Sequence, residues 1–461
     1  MSLSRVPVAT FLSTAKNVLK RYTTDLPHAS TKYTFVIGNE SADLDSICSA
    51  IVFAYISTYF PKISNKLTTE TPSALYIPLA NLQTDSLHLR PELTTALQHA
   101  HLMPSEILTL SDLPKSLPPP EQTRWVLVDH NRLRGELGKF YGKRIVGCID
   151  HHEDEGLFVG DEKSDGLLER EPRLIEQVCS CASLVTAWAR ERWFPREHQV
   201  TAESSTQLRV NRDEAVNWGQ EDARLAYLAL APILLDSVCL QSARTKQEDF
   251  AAVMFLENLI TQHYGATYDR STYYKKISIA KQDLDSFTLT NIFQKDYKQW
   301  AESSLTQDSS LLPFNFGIIA VVKPIAFLLK KANGVLIFLQ TLQSFARERN
   351  LSLVALMTSF SLDDKFHREL LVWGLDKKGV KASKLFELTA GPELILRKWC
   401  QGDLILDWDC NGRQDEKVVD KNPCIDWRRC WTQHETNSSR KQVYPLLRSA
   451  IRSTFVSSQS L

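Results

Sequence analysis

Between Lys32 and Phe60 an apolar run, "KYTFVIG", breaks at a short polar loop and resumes as a longer apolar stretch, "SICSAIVFAYISTYF". The first has the length and β-branched, aromatic character of a buried strand, and the second has the length of a helix. The alternation continues through the first half of the chain. "SALYIPL" reads as a short strand, and "RWVLVDH" and "KRIVGCIDHH" read as continuous apolar strands that stop abruptly at polar residues. "SCASLVTAW" reads as a capped helix start, and Asp222 to Leu235 as a helix running into "DSVCLQ". Strands with no polar face belong to a parallel sheet covered by helices on both sides. Val8, Leu12, Val18 and Leu19 place one apolar face on an N-terminal helix. Polar loops interrupt at "DLPKSLPPPEQ" and from Pro195 to Asp222.

After about Gln262 the pattern changes. "NFGIIAVV", "LSLVALMTSF" and "RELLVWG" read as strands separated by helical pieces such as "GVLIFLQTLQSFARER". The expected architecture is α/β: a parallel-sheet domain over residues 1–270, then a smaller mixed-sheet α/β domain over residues 271–461. A chain of 461 residues divides naturally into two cores.

Lys and Arg number 54, as do Asp and Glu, so no global field draws the protein to nucleic acid or a membrane, and neither is expected as a partner. The charge is uneven, however. Asp150 to Glu171 is acid-rich, whereas Lys421 to Leu461 carries Lys421, Arg428, Arg429, Arg440, Lys441, Arg448 and Arg452 against Asp426 and Glu435. Such a division suits a device that handles metal and phosphate; solvated faces are the plainer reading. The nine cysteines form no Cys-x-x-Cys pair, and no secretory signal is visible, so buried thiols in a reducing, cytoplasmic setting are expected. The first 24 residues contain bases and hydroxyls but no acid, which is also the composition of a mitochondrial import peptide; an ordinary helix is the favoured reading. Lys323 and Pro324 interrupt the apolar stretch Phe316 to Leu329, so no segment is expected to span a bilayer.

Four apolar runs finish in acid or imidazole: Asp43 and Asp45; Asp129 with His130; Asp150, His151 and His152; and Asp236 after "LAPILL". Taken as strand ends of one parallel sheet, they would meet at one edge. Converging carboxylates and imidazoles repel or bury unpaired charge unless cations sit between them, so a cluster of divalent metals is the natural solution. Each feature alone is more often a helix cap or a structural histidine. The repeated placement carries the inference.

"GNESADLDS", "LVDHN", "CIDHHE" and "LLDSV", in this order, resemble the four motifs of the Asp-His-His (DHH) phosphoesterase superfamily, closest to its eukaryotic cytosolic exopolyphosphatase and prune branch. "SSRKQVYP" in the second half looks like the Ser-Arg-Lys phosphate-binding motif of exopolyphosphatases and family II inorganic pyrophosphatases. "KDYKQW" is similar to their shorter Asp-x-Lys element. The resemblance implies an active site in the cleft between a DHH metal-binding domain and a DHH-associated phosphate-binding domain. It implies metal ligation by Asp43, Asp45, Asp129, His151 and Asp236, with Asp129 bridging two cations and His152 beside the substrate phosphate or leaving oxygen. Lys298, Arg440 and Lys441 would hold the phosphates. The metal-dependent pyrophosphatases usually begin the first motif with His; this chain has Asn39, as the exopolyphosphatase and prune branch does. Asn39 would ligate weakly, orient a water or contact substrate, and it shifts preference between Mg²⁺ and Mn²⁺ toward Mg²⁺.

The activity so implied is an exopolyphosphatase that removes terminal orthophosphate from inorganic polyphosphate, or from another short phosphoanhydride, with water activated by two divalent cations. The rivals are an inorganic pyrophosphatase of the same superfamily and a prune-like interaction scaffold without turnover. The oligomeric state is open. Leu44 is expected to point into the core between the two loop aspartates, Glu40 to face solvent, Cys179 and Cys181 to be buried at a helix start, and Asp407 and Asp409 to be loop carboxylates. Arg428, Arg429 and Arg448 either extend the basic wall or are surface residues, and His434 either touches substrate or is structural.

Overall fold

Tyr33–Ile37 forms β1, and all five of its side chains are buried, as an apolar run without alternation must be when helices cover both faces of its sheet. The computed structural model describes residues 4–24, 33–60, 75–156, 172–193, 216–303, 313–363, 365–400, 404–409 and 426–456. Most of the acid-rich stretch, most of the polar loop from Pro195 and the centre of the segment from Leu404 to Trp427 lie outside the described residues. The chain divides into two compact units, Met1–Lys281 and Gln282–Leu461.

In the first unit, helix α1 (Val8–Thr24) buries Phe11, Leu12, Ala15 and Leu19 on one face. After β1 come α2 (Leu44–Tyr59), β2 (Tyr76–Leu79), α3 (Pro91–His99), β3 (Thr123–Val128), α4 (Gly135–Tyr141), β4 (Ile145–Asp150) and β5 (Arg173–Ile175). Helices α5 (Cys181–Trp193), α6 (Trp218–Asp236), α7 (Gln247–Tyr264) and α8 (Arg270–Gln282) follow. The five strands pair in the order β2-β1-β3-β4-β5, all parallel. In this order the chain leaves β1 toward one edge and returns at β3 on the other side. That reversal opens a crevice beyond the carboxyl ends of β1 and β3, where open α/β sheets bind ligands. Ile37 and Leu127 are register partners, so the residues that follow them emerge side by side.

Aromatic rings fix this arrangement. Phe35 on β1 stacks on Trp125 of β3 at 4.6 Å, and Trp125 stacks on Tyr141 of α4 at 4.9 Å. Phe53 of α2 stacks on Trp188 of α5 at 4.3 Å. The last pair joins the two helices to each other.

Two sequence expectations change. "LAPILL" is not a strand, because α6 runs through Pro232 to end on Asp236, and it begins at Trp218 rather than Asp222. From Leu225 to Leu234 every residue of α6 is buried, and an apolar run of that kind has no periodicity to separate a core helix from a core strand. Asp236 therefore reaches the site from a helix C-terminus, while Asn39, Asp129 and Asp150 reach it from strand ends. Just beyond Asp236, Val238, Cys239 and Leu240 take left-handed φ of 51°, 56° and 67°, a tight reversal that β-branched and bulky residues adopt only under constraint.

The second unit contains α9 (Leu289–Lys295), β6 (Tyr297–Glu302), β7 (Phe314–Val321), α10 (Ile325–Lys331), α11 (Val335–Glu348), β8 (Leu353–Thr358), β9 (Phe360–Leu362) and β10 (Lys365–Gly374). It closes with α12 (Lys377–Ala390), β11 (Leu396–Lys398), β12 (Trp408–Asp409), β13 (Trp427–Gln433) and α13 (Arg440–Val456). Its sheet follows the path β11-β13-β10-β8-β7-β6, with β12 added to β13 and β9 to β10. Only the β7–β8 pair is parallel, so the sheet is mixed. Phe316, Leu353, Val372, Phe386, Trp427 and Leu447 form the core between this sheet and helices α12 and α13.

Gly38 shows how closely β1 and α2 meet, because a Cβ placed on it would lie 2.4 Å from the Ser46 Cβ. Gly38→Ala should force α2 off the sheet edge and destabilise the protein by about 1–3 kcal/mol, read as a lower melting temperature. An unchanged melting temperature would show that α2 moves aside without cost.

Candidate metal centre

The chain leaves β1 through Gly38 and turns at Asn39 to Ala42, with the Ala42 amide donating to the Asn39 carbonyl at 3.0 Å. Asp43 and Asp45 do not lie in a free loop. Asp43 is the N-cap of α2, its Oδ1 accepting from the Ser46 amide at 3.0 Å, and Asp45 sits in the first helical turn. A carboxylate at each place is favoured by the unpaired amides and the dipole of the helix N-terminus. Leu44 between them is buried and Glu40 is exposed.

Asp45 is also bound by a second helix. Its Oδ2 accepts from the Cys181 amide at 2.7 Å, and its Oδ1 accepts from the Ala182 amide at 2.9 Å and the Ser49 hydroxyl at 3.2 Å. Cys179 and Cys181 are buried at the start of α5, and their amides do the polar work: that of Cys179 donates to Asp249 at 3.1 Å. Burial pushes the Asp45 carboxyl well above the usual carboxylate range, and the charges of Asp129, Asp236 and Asp43 push it further, against the opposite pull of His151. Carboxylates so gathered cannot all ionise unless a cation joins them.

Asp129 follows β3 and adopts a left-handed φ of 61°, which turns its side chain toward β1. One oxygen, Oδ2, accepts from Asn39 Nδ2 and from the Ser46 hydroxyl, both at 2.7 Å. The other, Oδ1, lies 3.1 Å from His151 Nε2. A left-handed aspartate beside a functional crevice is strain that the surrounding bonds must hold. Asn39 supplies much of that hold: its Nδ2 also donates to the Asp129 carbonyl at 3.2 Å, and its Oδ1 accepts from the Ser41 amide at 2.8 Å. Both ends of the amide are thus engaged within the protein. Asn39, read from the sequence as a weak ligand, a water-orienting group or a substrate contact, is in this geometry hydrogen-bonded to Asp129 and to Ser41.

The "DHH" triplet ends β4. His151 Nδ1 stands 3.2 Å from the Val178 carbonyl, which can only accept, so Nδ1 carries a proton and Nε2 is the nitrogen turned to the carboxylates. That Nε2 faces Asp129 and, at 3.9 Å, Asp45 Oδ2. His152 Nδ1 donates to Asp150 Oδ1 at 2.7 Å, and the same oxygen accepts the amides of His151 and His152 at 2.7 and 3.1 Å. Burial works against charge on Asp150, yet the hydrogen bond and charge of His152 hold its carboxyl below the usual range. Asn131 Nδ2 completes the support, donating to Asp150 Oδ2 at 2.6 Å.

The donor set fits a divalent cation. Adjacent ligands of an octahedral ion with bonds of about 2.1 Å stand about 3.0 Å apart, close to the 3.1 Å between Asp129 and His151. Among the described residues, the atoms of Asp129, His151 and His152 that could ligate lie within 4.8 Å of one another. Buried polar atoms without a partner occur in the same loops: Ser41 Oγ after β1, His130 Nε2 after β3 and Ser180 Oγ before α5. Hydrated cations would satisfy such atoms.

In the second unit Arg440 is the first residue of α13, and its Nη1 donates to Asp296 Oδ1 at 2.7 Å and to the Asp296 carbonyl at 3.2 Å. Asp296 therefore ties "KDYKQW" to "SSRKQVYP", with Lys298 two residues along on β6 and Lys441 exposed beside Arg440. The other arginines are committed locally. Arg448 and Arg452 pair with Glu302, Arg429 lies 3.9 Å from Asp409, and Arg428 donates to the Leu406 carbonyl at 2.7 Å. Asp407 accepts the Cys430 amide at 2.9 Å, and Asp409 lies in strand β12 and pairs with Lys384 at 3.2 Å, so both are structural. His434 is exposed.

Sequence reasoning counted Asp150 among the converging carboxylates without a separate task and gave none to Ser46, Asn131 or Asp296. All four stand within quoted motifs, and adjacency was their signal, because what each touches is set by the crossing of separate elements.

With this geometry in hand, comparison with known proteins is specific. Residues 33–208 match the profile of the "DHH family, N-terminal domain", and residues 275–450 match that of the "DHHA2 domain". The chain belongs to the DHH phosphoesterase superfamily, a class of metal-dependent hydrolases. It is 28% identical, over 429 residues covering 92% of each chain, to a Schizosaccharomyces pombe protein described as "Putative exopolyphosphatase". It shares its fold with a crystal structure described as a Methanococcus jannaschii "putative family II inorganic pyrophosphatase", with a TM-score of 0.51 and 18% identity over 91% of this chain and 99% of that one.

Removing a partner that orients a metal ligand typically costs 10- to 100-fold in metal affinity. Asn39→Ala and Ser46→Ala should each weaken Mn²⁺ binding by about that factor, measured by calorimetric titration of the metal-free protein. Unchanged affinity in both would show that Asp129 does not need these donors.

Proposed function

We propose that the protein is an exopolyphosphatase, hydrolysing the terminal phosphoanhydride bond of inorganic polyphosphate to release orthophosphate. The observation that carries this reading is the convergence of Asp45, Asp129 and His151 beside a His152 ring fixed by Asp150. The nearly full-length relative described as "Putative exopolyphosphatase" supports the substrate class. In this reading Asp43, Asp45, Asp129, His151 and Asp236 would hold two divalent cations. When bound, the cations activate a water for attack on phosphorus. A donor set of four carboxylates and one imidazole, with Asn39 engaged elsewhere, suits a hard cation and favours Mg²⁺ over Mn²⁺.

The remaining steps belong to this chain's own side chains. Asp150 holds the proton of His152 on Nδ1 and stabilises the charged ring, so Nε2 is the atom that gives a proton to the leaving phosphate oxygen. Lys298, Arg440 and Lys441 bind the phosphates, with Asp296 fixing the direction of the Arg440 guanidinium. Neutralising the equatorial oxygens in this way is the main electrostatic help that phosphoryl transfer needs.

Phosphate release from long polyphosphate, tripolyphosphate and pyrophosphate, each with Mg²⁺ and with Mn²⁺, tests the reading. Long or short polyphosphate should be cleaved only with metal, and Asp129→Asn should lower the rate by at least 100-fold with an unchanged circular dichroism spectrum. Cleavage of pyrophosphate alone would move the protein to the pyrophosphatases, and no release from any substrate would make it a scaffold.

A further inference from the structure

Arg90 lies in the connection between β2 and α3, far in sequence from every metal-binding motif, and it is 5% exposed. Its Nε donates to the Ala42 carbonyl at 3.0 Å, its Nη2 donates to the Ser41 carbonyl, and its Nη1 donates to the Leu89 carbonyl at 3.2 Å. Ser41 and Ala42 are the last two residues before the N-cap Asp43, and both are buried. Ala42 has a left-handed φ of 43°, a conformation that costs an alanine free energy and a glycine almost none. That twist aims the next peptide so that Asp43 caps α2 and Asp45 enters its first turn.

We propose that Arg90 is a positioning residue of the metal centre, locking the Ser41–Ala42 peptides in the left-handed turn that presents Asp43 and Asp45 to the cations. The planar guanidinium suits this task, because its fixed fork of donors reaches two successive carbonyls at once. Asn39 closes the same turn from the inner side through its bond from the Ser41 amide. The turn is thus clamped between an amide that also orients Asp129 and a cation that orients the aspartates of α2. The inference rests on the metal-centre reading above.

The test is a cycle of Arg90→Lys, Ala42→Gly and the double variant in the full-length protein, with Mn²⁺ affinity followed by calorimetry and electron paramagnetic resonance alongside phosphate release. Arg90→Lys keeps the charge and one donor but loses the fork. It should weaken Mn²⁺ binding by about tenfold and raise the metal concentration needed for half-maximal activity, with little change in rate at saturating metal. Ala42→Gly should leave Mn²⁺ affinity within twofold of the unmodified protein, since the glycine takes the left-handed turn unaided. On that background Arg90→Lys should weaken Mn²⁺ binding by much less than tenfold.

Unchanged affinity in Arg90→Lys, or an undiminished loss in the double variant, would overturn the proposal. Should Arg90→Lys fail to fold, Ala42→Gly remains decisive, because a tenfold loss of Mn²⁺ affinity there would show that the glycine does not hold the turn unaided and would overturn the proposal. Failure of the metal-centre reading itself would look different, since the unmodified protein would then bind no Mn²⁺ with affinity dependent on Asp129.

Discussion

Asp45, Asp129 and Asp150 are each at most 4% exposed, and Asp43 and Asp236 stand near enough to bear on the charge of Asp45. Holding like charges together away from water is unfavourable unless each has its own partners, and those partners account for much of the local architecture. Asp43 and Asp45 lie where helix amides point, Asp129 takes two donors through a single oxygen, and Asp150 is ringed by two backbone amides, an imidazole and an amide side chain. Asp129, Asp45 and His151 face one another on one side of this cluster, and their donor set suits a divalent cation.

The sheet order makes such a cluster possible with short connections. Asn39 and Asp129 leave neighbouring strands at matched register, so a single amide bridges them without a long side chain. Strain appears at the two positions where the chain must turn most sharply to keep this geometry, Ala42 and Asp129. It recurs at Val238 to Leu240, after the helix that delivers Asp236. An aromatic stack through Phe35, Trp125 and Tyr141 ties together the two strands from which the first two turns emerge.

The strand and helix pattern of both units was legible in the sequence because buried parallel strands are continuous and apolar, and their abrupt ends coincide with polar motifs. "LAPILL" was read as part of a helix from Asp222 and also, with Asp236, as a strand end, because a fully buried helix and a fully buried strand have the same composition over six residues; the helix is what forms. The carboxylates and histidines were visible by type and order. Their hydrogen-bond partners were not: Ser46, Cys181 and Ala182 meet Asp129 and Asp45 only through tertiary crossing, and no local rule marks Arg90 as touching a loop 48 residues earlier. The roles of Arg428, Arg429 and Arg448 were open in the sequence because a cluster of bases reads the same whether it faces substrate or its own acids.

Asn39 shows what an amide does at the end of β1 that an imidazole would not. An imidazole has two ring nitrogens, of which one at most is an acceptor. The amide instead presents a donor to Asp129 and an acceptor to Ser41, each of the right polarity. A hydrogen atom of the protein therefore stands on one side of Asp129 whatever the solution contains. That carboxylate is aimed by the fold before any ligand arrives, so the cost of ordering it is met once, during folding, and not again at each binding event.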